Sequence, residues 1–183
     1  MRGFIRAAVA ALAVLAVLVG TGVAGAEPAG GQSYSQAELA ALQARVDENL
    51  GLYGGGKQIG INQVEYLGGT LLLTLKLPGE RSARAVQEPV GTAGVANCQY
   101  QWVCLWTDTH FNGDRLAKYA CQTITVPQMF QDNTGSVHNN QTTNTETVLY
   151  NSGWSVLNAN LAPTRISDTG VNVRWVTRYW KTC

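Results

Sequence analysis

Charged residues are scarce in this chain of 183 residues, because Asp, Glu, Lys and Arg together make up only 14% of it. The 13 Lys and Arg residues almost balance the 12 Asp and Glu residues. A protein that binds nucleic acid or an anionic membrane needs a clustered basic surface, which this balance does not favour. We therefore expect neither class of partner.

Motifs of the common enzyme classes are also lacking. There is no His-Glu-x-x-His, no Gly-x-Ser-x-Gly, no phosphate-binding loop and no recognisable pair of acids for glycoside cleavage. A lone histidine beside a turn, such as His110 or His138, is more often solvated than catalytic. Because triads assemble in space, Ser155 or Ser167 with a histidine stays an alternative. The prediction is a protein that is not an enzyme.

Only one long apolar run occurs, and it lies at the N-terminus. Arg2 and Arg6 precede "AAVAALAVLAVLVG", and Ala24-Gly25-Ala26 offers an Ala-x-Ala cleavage pattern. Residues 1–26 are therefore predicted to be a signal peptide, which implies a secreted, extracellular protein that is free of the membrane after cleavage. A membrane anchor is the alternative, since the run is nearly long enough to span a bilayer.

Cysteine is rare, and all four cysteines fall in the C-terminal part of the chain: Cys98, Cys104, Cys121 and Cys183. An exported protein is expected to pair them in two disulfides, for which three connectivities exist. We favour Cys98 with Cys104, which closes a short loop, and Cys121 with Cys183, which ties down the last residue. Zinc is disfavoured because there is no CxxC pair and the histidines lie at no ligand spacing from the cysteines.

The segment after the signal peptide predicts a small accessory unit, residues 34–77, behind a flexible leader at 27–33. Ser35 followed by Glu38 is a capping box, and apolar residues then recur at helical spacing until Gly51. Alternating apolar residues on both sides of a Gly-Gly pair predict a β-hairpin. Such a unit is too small to fold alone, so we expect it to dock on the rest of the chain.

Residues 78–95 lack periodicity and are rich in Gly, Ala and Pro, which predicts a linker. Residues 96–183 contain short apolar or aromatic runs, such as "WVCLW", "RLAKYA", "ETVLYN" and "VNVRWVTRYW", separated by turn-forming residues. This pattern predicts an all-β domain of the sandwich type, and only "VPQMF" could form a helical turn.

One stretch, "LWTDTHFNGDR", requires a reversal of the backbone. Trp106 and Phe111 lie five residues apart, so a straight strand would point these two aromatic rings to opposite faces. Asn112-Gly113 can supply the bend, because glycine adopts positive φ without a steric cost. We therefore predict a folded hairpin in which both rings share one core.

The pattern of Trp106, Phe111 and Gly113 resembles the folded-hairpin signature of the βγ-crystallin Greek key. "DNTGSV" at 132–137 is similar to the second half of that motif, although Val137 stands where the motif has serine. The resemblance implies a βγ-crystallin-like Greek-key β-sandwich with two disulfides. A second key would lie in 146–183, where Tyr150 and Trp154 are four residues apart instead of five.

The cysteine pair Cys98 and Cys104, the "CLW" strand and "GSVHNN" together resemble bacterial peptidase inhibitor family thirty-six, of the Streptomyces metalloproteinase inhibitor type. The hairpin ahead of the domain also resembles one in secreted actinobacterial proteins. The resemblance implies a monomeric inhibitor of an extracellular protease, with metalloproteases as the target class. Independently of the resemblance, the loop "QYQWV" could be an exposed partner-binding loop with Tyr100 and Trp102 as aromatic anchors, or a strand end with Trp102 in the core.

Two non-inhibitory alternatives stay open. Asp132, Asn133 and Ser136 offer oxygen atoms that could begin a weak calcium site, and calcium is the only cofactor that the sequence suggests; the same residues could simply form a turn. Aromatic residues near the C-terminus could instead form a sugar-stacking platform or a core, and these are Trp154, Trp175, Tyr179 and Trp180.

Overall fold

A computed structural model describes residues 33–89 and 94–183. The predicted signal peptide and all but the last residue of the predicted leader lie outside the described residues. Within the described ranges, no helix has both the length and the apolar character that a membrane crossing requires.

The first element is helix α1, Gln36–Tyr53. Its capping box is formed in both directions: the Glu38 backbone N–H donates to Ser35 Oγ at 3.2 Å, and the Ser35 N–H donates to Glu38 Oε2 at 2.8 Å. These bonds satisfy helix N–H groups that have no partner within the helix. The helix ends at Tyr53, two residues beyond the predicted Gly51, because the next residue, Gly54, has a φ of 56° that interrupts it.

Eleven strands make up most of the remaining regular structure of the described residues. They are β1 (Lys57–Gly60), β2 (Gln63–Tyr66), β3 (Leu71–Thr74), β4 (Val103–Trp106), β5 (Arg115–Lys118), β6 (Thr123–Thr125), β7 (Ser136–Asn139), β8 (Glu146–Tyr150), β9 (Val156–Leu161), β10 (Thr164–Ile166) and β11 (Tyr179–Thr182). Single helical turns form α2 (Gln128–Gln131) and α3 (Val171–Arg174). A 3-10 turn at Leu67–Gly69 joins β2 to β3.

These strands form two antiparallel sheets. One has the order β1-β2-β3-β5-β4-β7-β10 and the other β6-β11-β8-β9. Two hairpins, β4–β5 and β8–β9, are each followed by a strand that joins the opposite sheet, β6 and β10 respectively. The next strand then returns beside the first strand of its hairpin, as β7 pairs with β4 and β11 pairs with β8. The predicted mostly-β class with two disulfides is confirmed.

The expectation that only "VPQMF" could form a helical turn within 96–183 is wrong, because the first half of "VNVRWVTRYW" forms the turn α3. Val173 is buried there, and its carbonyl accepts the hydroxyl of Thr177 at 2.7 Å. Only the end of the stretch belongs to a strand, β11.

Strand β3 pairs with β5, so the strands of the 34–77 segment are part of the larger sheet. Arg45 of α1 also forms an ion pair with the buried Asp114, at 2.6 Å between Nη2 and Oδ2. The segment after β3 packs on the sheet as well: residues 82–85 are buried, and the Ala83 N–H donates to Gly113 O at 2.8 Å. The division into 34–77, 78–95 and 96–183 stays a prediction.

One cluster of buried apolar side chains unites α1 and the two sheets. It includes Leu42, Val46, Leu73, Leu105, Leu116, Phe130, Leu149 and Trp180. A second cluster covers the other face of β4 and β5 and includes Cys98, Cys104, Trp106, Phe111 and Ala117. The alternation of side chains along β4 explains the division, because successive residues point to opposite faces.

Candidate functional site

The loop between Cys98 and Cys104 projects from the start of β4. The two cysteines form a disulfide, with their Cα atoms 5.6 Å apart, and the remaining cysteines form the second bond, Cys121–Cys183. Within the loop, the Trp102 N–H donates to Gln99 O at 3.1 Å, which closes a turn. The loop is therefore constrained by a covalent bond and a backbone hydrogen bond.

Asn140, which follows β7, holds the loop from its other side. Its carbonyl accepts the Gln101 N–H at 2.8 Å, its own N–H donates to Trp102 O at 3.0 Å, and its Nδ2 donates to Cys98 O at 2.9 Å. Three hydrogen bonds from one residue fix both arms of the loop to the sheet. Such a loop has little conformational entropy left to lose when it binds a partner.

The two predicted aromatic anchors differ in position. Tyr100 is 61% exposed at the tip of the loop. Trp102 is half-buried and packs against the cluster around the first disulfide, with its ring centroid 5.6 Å from that of Tyr119. Tyr100 is therefore the anchor that a partner can reach, and Trp102 supports the loop from beneath.

Tyr119 belongs to this site but was not singled out from the sequence. It follows β5, whose last residue, Lys118, pairs with Val103, and this register brings Tyr119 beside Trp102. Its side chain is 48% exposed. The strand register, which no local sequence pattern reveals, is the only signal that could have found it.

A depression of about 280 Å³ lies beside the loop. It is lined by Gln101, Tyr119, Ala120, Cys121, Gln141, Thr142, Thr145 and Cys183. No side chain of this lining carries a charge, and the second disulfide forms part of its wall. The site thus combines an exposed aromatic side chain with a concave surface that is lined by uncharged side chains.

Lys118 positions the chain segment that borders this depression. It is fully buried, and its Nζ donates to the carbonyls of Gln122 and Trp180. The ammonium group lies 5.3 Å from the centre of the Trp180 ring. Burial lowers the pKa of Lys118 to about 8, because the charged form loses solvation.

The folded hairpin between β4 and β5 lies next to the loop on the same face of the sheet. Trp106 and Phe111 meet edge to face, with ring centroids 5.3 Å apart, and both are buried. Gly113 adopts a φ of 80°, and a Cβ atom there would lie 2.0 Å from Thr107 Oγ1. The chain therefore reverses at Asn112-Gly113 and places both rings in one environment.

The three residues considered for calcium make contacts with the protein instead. Ser136 is buried; its Oγ accepts the Phe111 N–H at 3.0 Å and donates to Asp108 O at 2.8 Å. Asp132 forms an ion pair with Arg178 at 3.1 Å, and Asn133 Nδ2 donates to Met129 O at 3.3 Å. No group of three or more His, Cys, Asp or Glu residues that could hold a metal occurs in the part of the chain that the structure describes.

The histidines are not arranged for catalysis. The expectation that His138 is solvated is wrong: it lies on β7 opposite Cys104 and is 2% exposed. Burial, and secondarily the nearby Arg165, lower the pKa of His138 to about 4, so the ring is neutral at pH 7. Across residues 33–89 and 94–183, no serine hydroxyl is hydrogen-bonded to a histidine side chain, and the side-chain partner of His138 is Arg165.

Comparisons with curated proteins and with solved structures returned no match. One protein-family model does match, and the matched residues contain the braced loop, the folded hairpin and Ser136. That family consists of inhibitors of peptidases and not of enzymes, which agrees with the absence of a catalytic arrangement in the described residues. Residues 91–155 of this chain are identified by the model of peptidase inhibitor family I36.

Proposed function

We propose that the protein is a secreted inhibitor of an extracellular protease and that it acts by placing the Cys98–Cys104 loop in the cleft of that enzyme. The observation that carries the proposal is a single exposed aromatic side chain, Tyr100, on a loop held by one disulfide and by three hydrogen bonds to Asn140. The family match over residues 91–155 supports a protease as the partner.

The physical basis of inhibition is the low entropic cost of binding. A flexible peptide loses conformational freedom when it enters a protease cleft, whereas this loop has lost most of that freedom already. Tyrosine adds a large contact area with few rotatable bonds, which suits it to the centre of an interface. Because the side chains that line the depression beside the loop are uncharged, we expect shape and buried area to contribute more to affinity there than charge.

The proposed scaffold is a βγ-crystallin-like pair of Greek keys, with β4–β7 as the first key and β8–β11 as the second. The exchange of β6 and β10 between the sheets supports this assignment. The hydrogen bonds of Ser136 to both ends of the folded hairpin also support it. In this arrangement the loop precedes the first strand of the first key.

A titration against two proteases tests the inhibitor proposal. Increasing amounts of the purified protein are added to a thermolysin-like metalloprotease and to a subtilisin-like serine protease, and the residual peptidase activity is measured. We expect a stoichiometric loss of activity with the metalloprotease. Undiminished activity of both enzymes at a large molar excess would contradict the proposed function, and inhibition of the serine protease alone would contradict the metalloprotease target.

The variant Tyr100→Ala tests the role of the loop. Removal of a central aromatic anchor is expected to weaken inhibition at least tenfold, which corresponds to about 1.4 kcal/mol. The matched control is Trp175→Ala, which removes an aromatic side chain of similar exposure, 53% against 61%, outside the loop. Equal inhibition constants for the two variants would show that the loop is not the binding surface.

A further inference from the structure

Three aromatic rings form a second surface feature at one end of the smaller sheet. Trp154 is stacked on Tyr179, with the ring centroids 4.0 Å apart and the planes inclined by only 6°, and Tyr150 lies 5.7 Å from Trp154. Tyr150 and Tyr179 face each other in the register of β8 and β11, so the sheet fixes both rings. Trp154 is 56% exposed, which is consistent with one face against Tyr179 and the other open to solvent.

The turn between β8 and β9 holds Trp154 in an unusual conformation. Its φ is 62°, a value that is rare for a bulky residue and costs free energy. Asn151 stabilises the turn, because its Oδ1 accepts the N–H groups of both Gly153 and Ser155 at 2.9 Å. The Trp154 N–H also donates to Asn151 O at 3.1 Å. The indole is thus held in place by the turn and by the ring on which it stacks.

The folded hairpin between β4 and β5 contains a comparable aromatic residue, Phe111, whose ring is buried in the core. Phe111 also has a positive φ, 57°, and its ring packs beside the last residue of the preceding strand, Trp106. Phe111 is only 8% exposed, however, whereas Trp154 is 56% exposed. The strained conformation at Trp154 therefore places the indole ring at the surface, where the ring contributes little to the core.

We propose that the exposed face of Trp154 is a carbohydrate-binding platform for β-linked glycans. A pyranose ring with equatorial hydroxyl groups has flat C–H faces, which pack favourably on the electron-rich face of an indole. Ser152 and Ser155 flank Trp154 and are exposed, and the turn 151–155 contains no charged residue. Neutral hydroxyl and amide groups around an apolar face are suited to the hydroxyl groups of a sugar.

Other ligands of aromatic faces fit the platform less well. A nucleic acid requires basic groups for its phosphates, and the turn offers none. A proline-rich peptide binds in grooves lined by aromatic residues. Here Trp154 and Tyr179 are in direct contact, so they leave no groove between them. Trp180, another aromatic residue of this region, is fully buried and takes no part in the platform.

The test uses two soluble probes, cellohexaose and chitohexaose, added to the full protein without its signal peptide. Binding is measured by calorimetry and by the change in tryptophan fluorescence. The informative variant is Trp154→Gly, because glycine adopts a positive φ without strain and the turn is therefore expected to survive. We expect the parent to bind at least one probe with a dissociation constant at or below the millimolar range. Trp154→Gly should bind at least tenfold more weakly, with an unchanged or higher melting midpoint.

Trp175→Ala is the matched control, because it removes another exposed indole and should leave binding unchanged. A decaproline peptide tests the alternative that the platform binds a proline-rich peptide. The proposal is overturned if neither oligosaccharide binds at millimolar concentration, if Trp154→Gly binds as tightly as the parent, or if only decaproline binds in a Trp154-dependent manner. Protease inhibition by Trp154→Gly should equal that of the parent, which separates this proposal from the inhibitor function.

Discussion

At the scale of single residues, Gly135 packs closely against the backbone of Asp108 and Thr109. A Cβ atom at this position would lie 2.2 Å from the carbonyl carbon of Asp108 and 2.6 Å from the amide nitrogen of Thr109. We expect Gly135→Ala to lower the free energy of unfolding by roughly 2–4 kcal/mol, because backbone atoms cannot move aside as a flexible side chain can. Urea denaturation followed by fluorescence measures the change.

Gly51→Ala is the control for this substitution. Gly51 lies within α1, and a Cβ atom there would have no neighbour within 4 Å. Alanine should therefore raise the free energy of unfolding by roughly 0.5–1 kcal/mol, since it favours the helix over glycine. If Gly135→Ala proved as stable as the parent, the hairpin could not lie against β7 as closely as described.

His138 links the stability of the protein to pH. Its pKa is 6.5 when unfolded and about 4 in the folded protein, so the unfolded chain takes up a proton that the folded chain excludes. Stability is therefore lost as pH falls from about 6.5 to about 4, by about 3 kcal/mol in all. We expect His138→Gln to flatten the dependence of the urea midpoint on pH in this window. A slope identical to that of the parent would contradict the neutral, buried state of the ring.

At the scale of secondary-structure elements, one ion pair connects α1 to the folded hairpin. Asp114 is nearly buried, and its carboxylate receives both Arg45 and the Lys76 N–H, at 2.6 and 2.7 Å. Burial raises the pKa of Asp114 despite these partners. Arg45→Ala leaves the carboxylate short of a partner, so we expect a loss of about 1–3 kcal/mol and faster hydrogen exchange in α1.

Lys57→Ala is the matched control for the ion pair. Lys57 Nζ lies 4.0 Å from Glu65, and the Lys57 side chain is 77% exposed. Exposed pairs contribute little, so the stability should change by less than about 0.5 kcal/mol. If both variants lost the same small amount of stability, α1 would be held to the sheet by its apolar face alone.

Local signals in the sequence predicted which elements form better than they predicted which strands pair with each other. The capping box at Ser35 and the bend at Asn112-Gly113 depend on neighbouring residues, and the structure contains both. The pairing of β3 with β5 joins segments more than forty residues apart, and nothing in either segment specifies the other. The run "VNVRWVTRYW" was predicted less well, because Val173 is buried from a helical turn and not from a strand.

The same distinction applies to the candidate site. The sequence identified the cysteine pair and Tyr100, since a short disulfide loop with an exposed aromatic residue is a local feature. It could not reveal the support by Asn140 or the neighbouring Tyr119, because both depend on how β4 pairs with β7 and β5. It also could not distinguish a buried Trp180 from an exposed Trp154, since both lie in aromatic, turn-rich segments.

At the scale of the whole molecule, the two disulfides differ in the length of chain that each of them closes. Cys121–Cys183 joins residues 62 apart, whereas Cys98–Cys104 joins residues only 6 apart. Loop-closure entropy predicts about 4 kcal/mol of stabilisation from the long loop and about 2 kcal/mol from the short one. The double variant C121A/C183A should therefore have the lower urea midpoint, and C98A/C104A should stay folded.

Inhibition should follow the opposite order under the proposed function. C98A/C104A keeps the hydrogen bonds of Asn140 but loses the covalent restraint, so the loop becomes more flexible, binding must order Tyr100 again and we expect at least tenfold weaker inhibition. Folded C121A/C183A, measured well below its melting midpoint, keeps the short loop and changes only one wall of the depression beside it, so its inhibition should weaken less than that of C98A/C104A. Inhibition constants that track stability in both variants would mean that the disulfides act only on the fold. The reverse ranking would place the main inhibitory contact at the wall formed by Cys121–Cys183 instead of at the short loop.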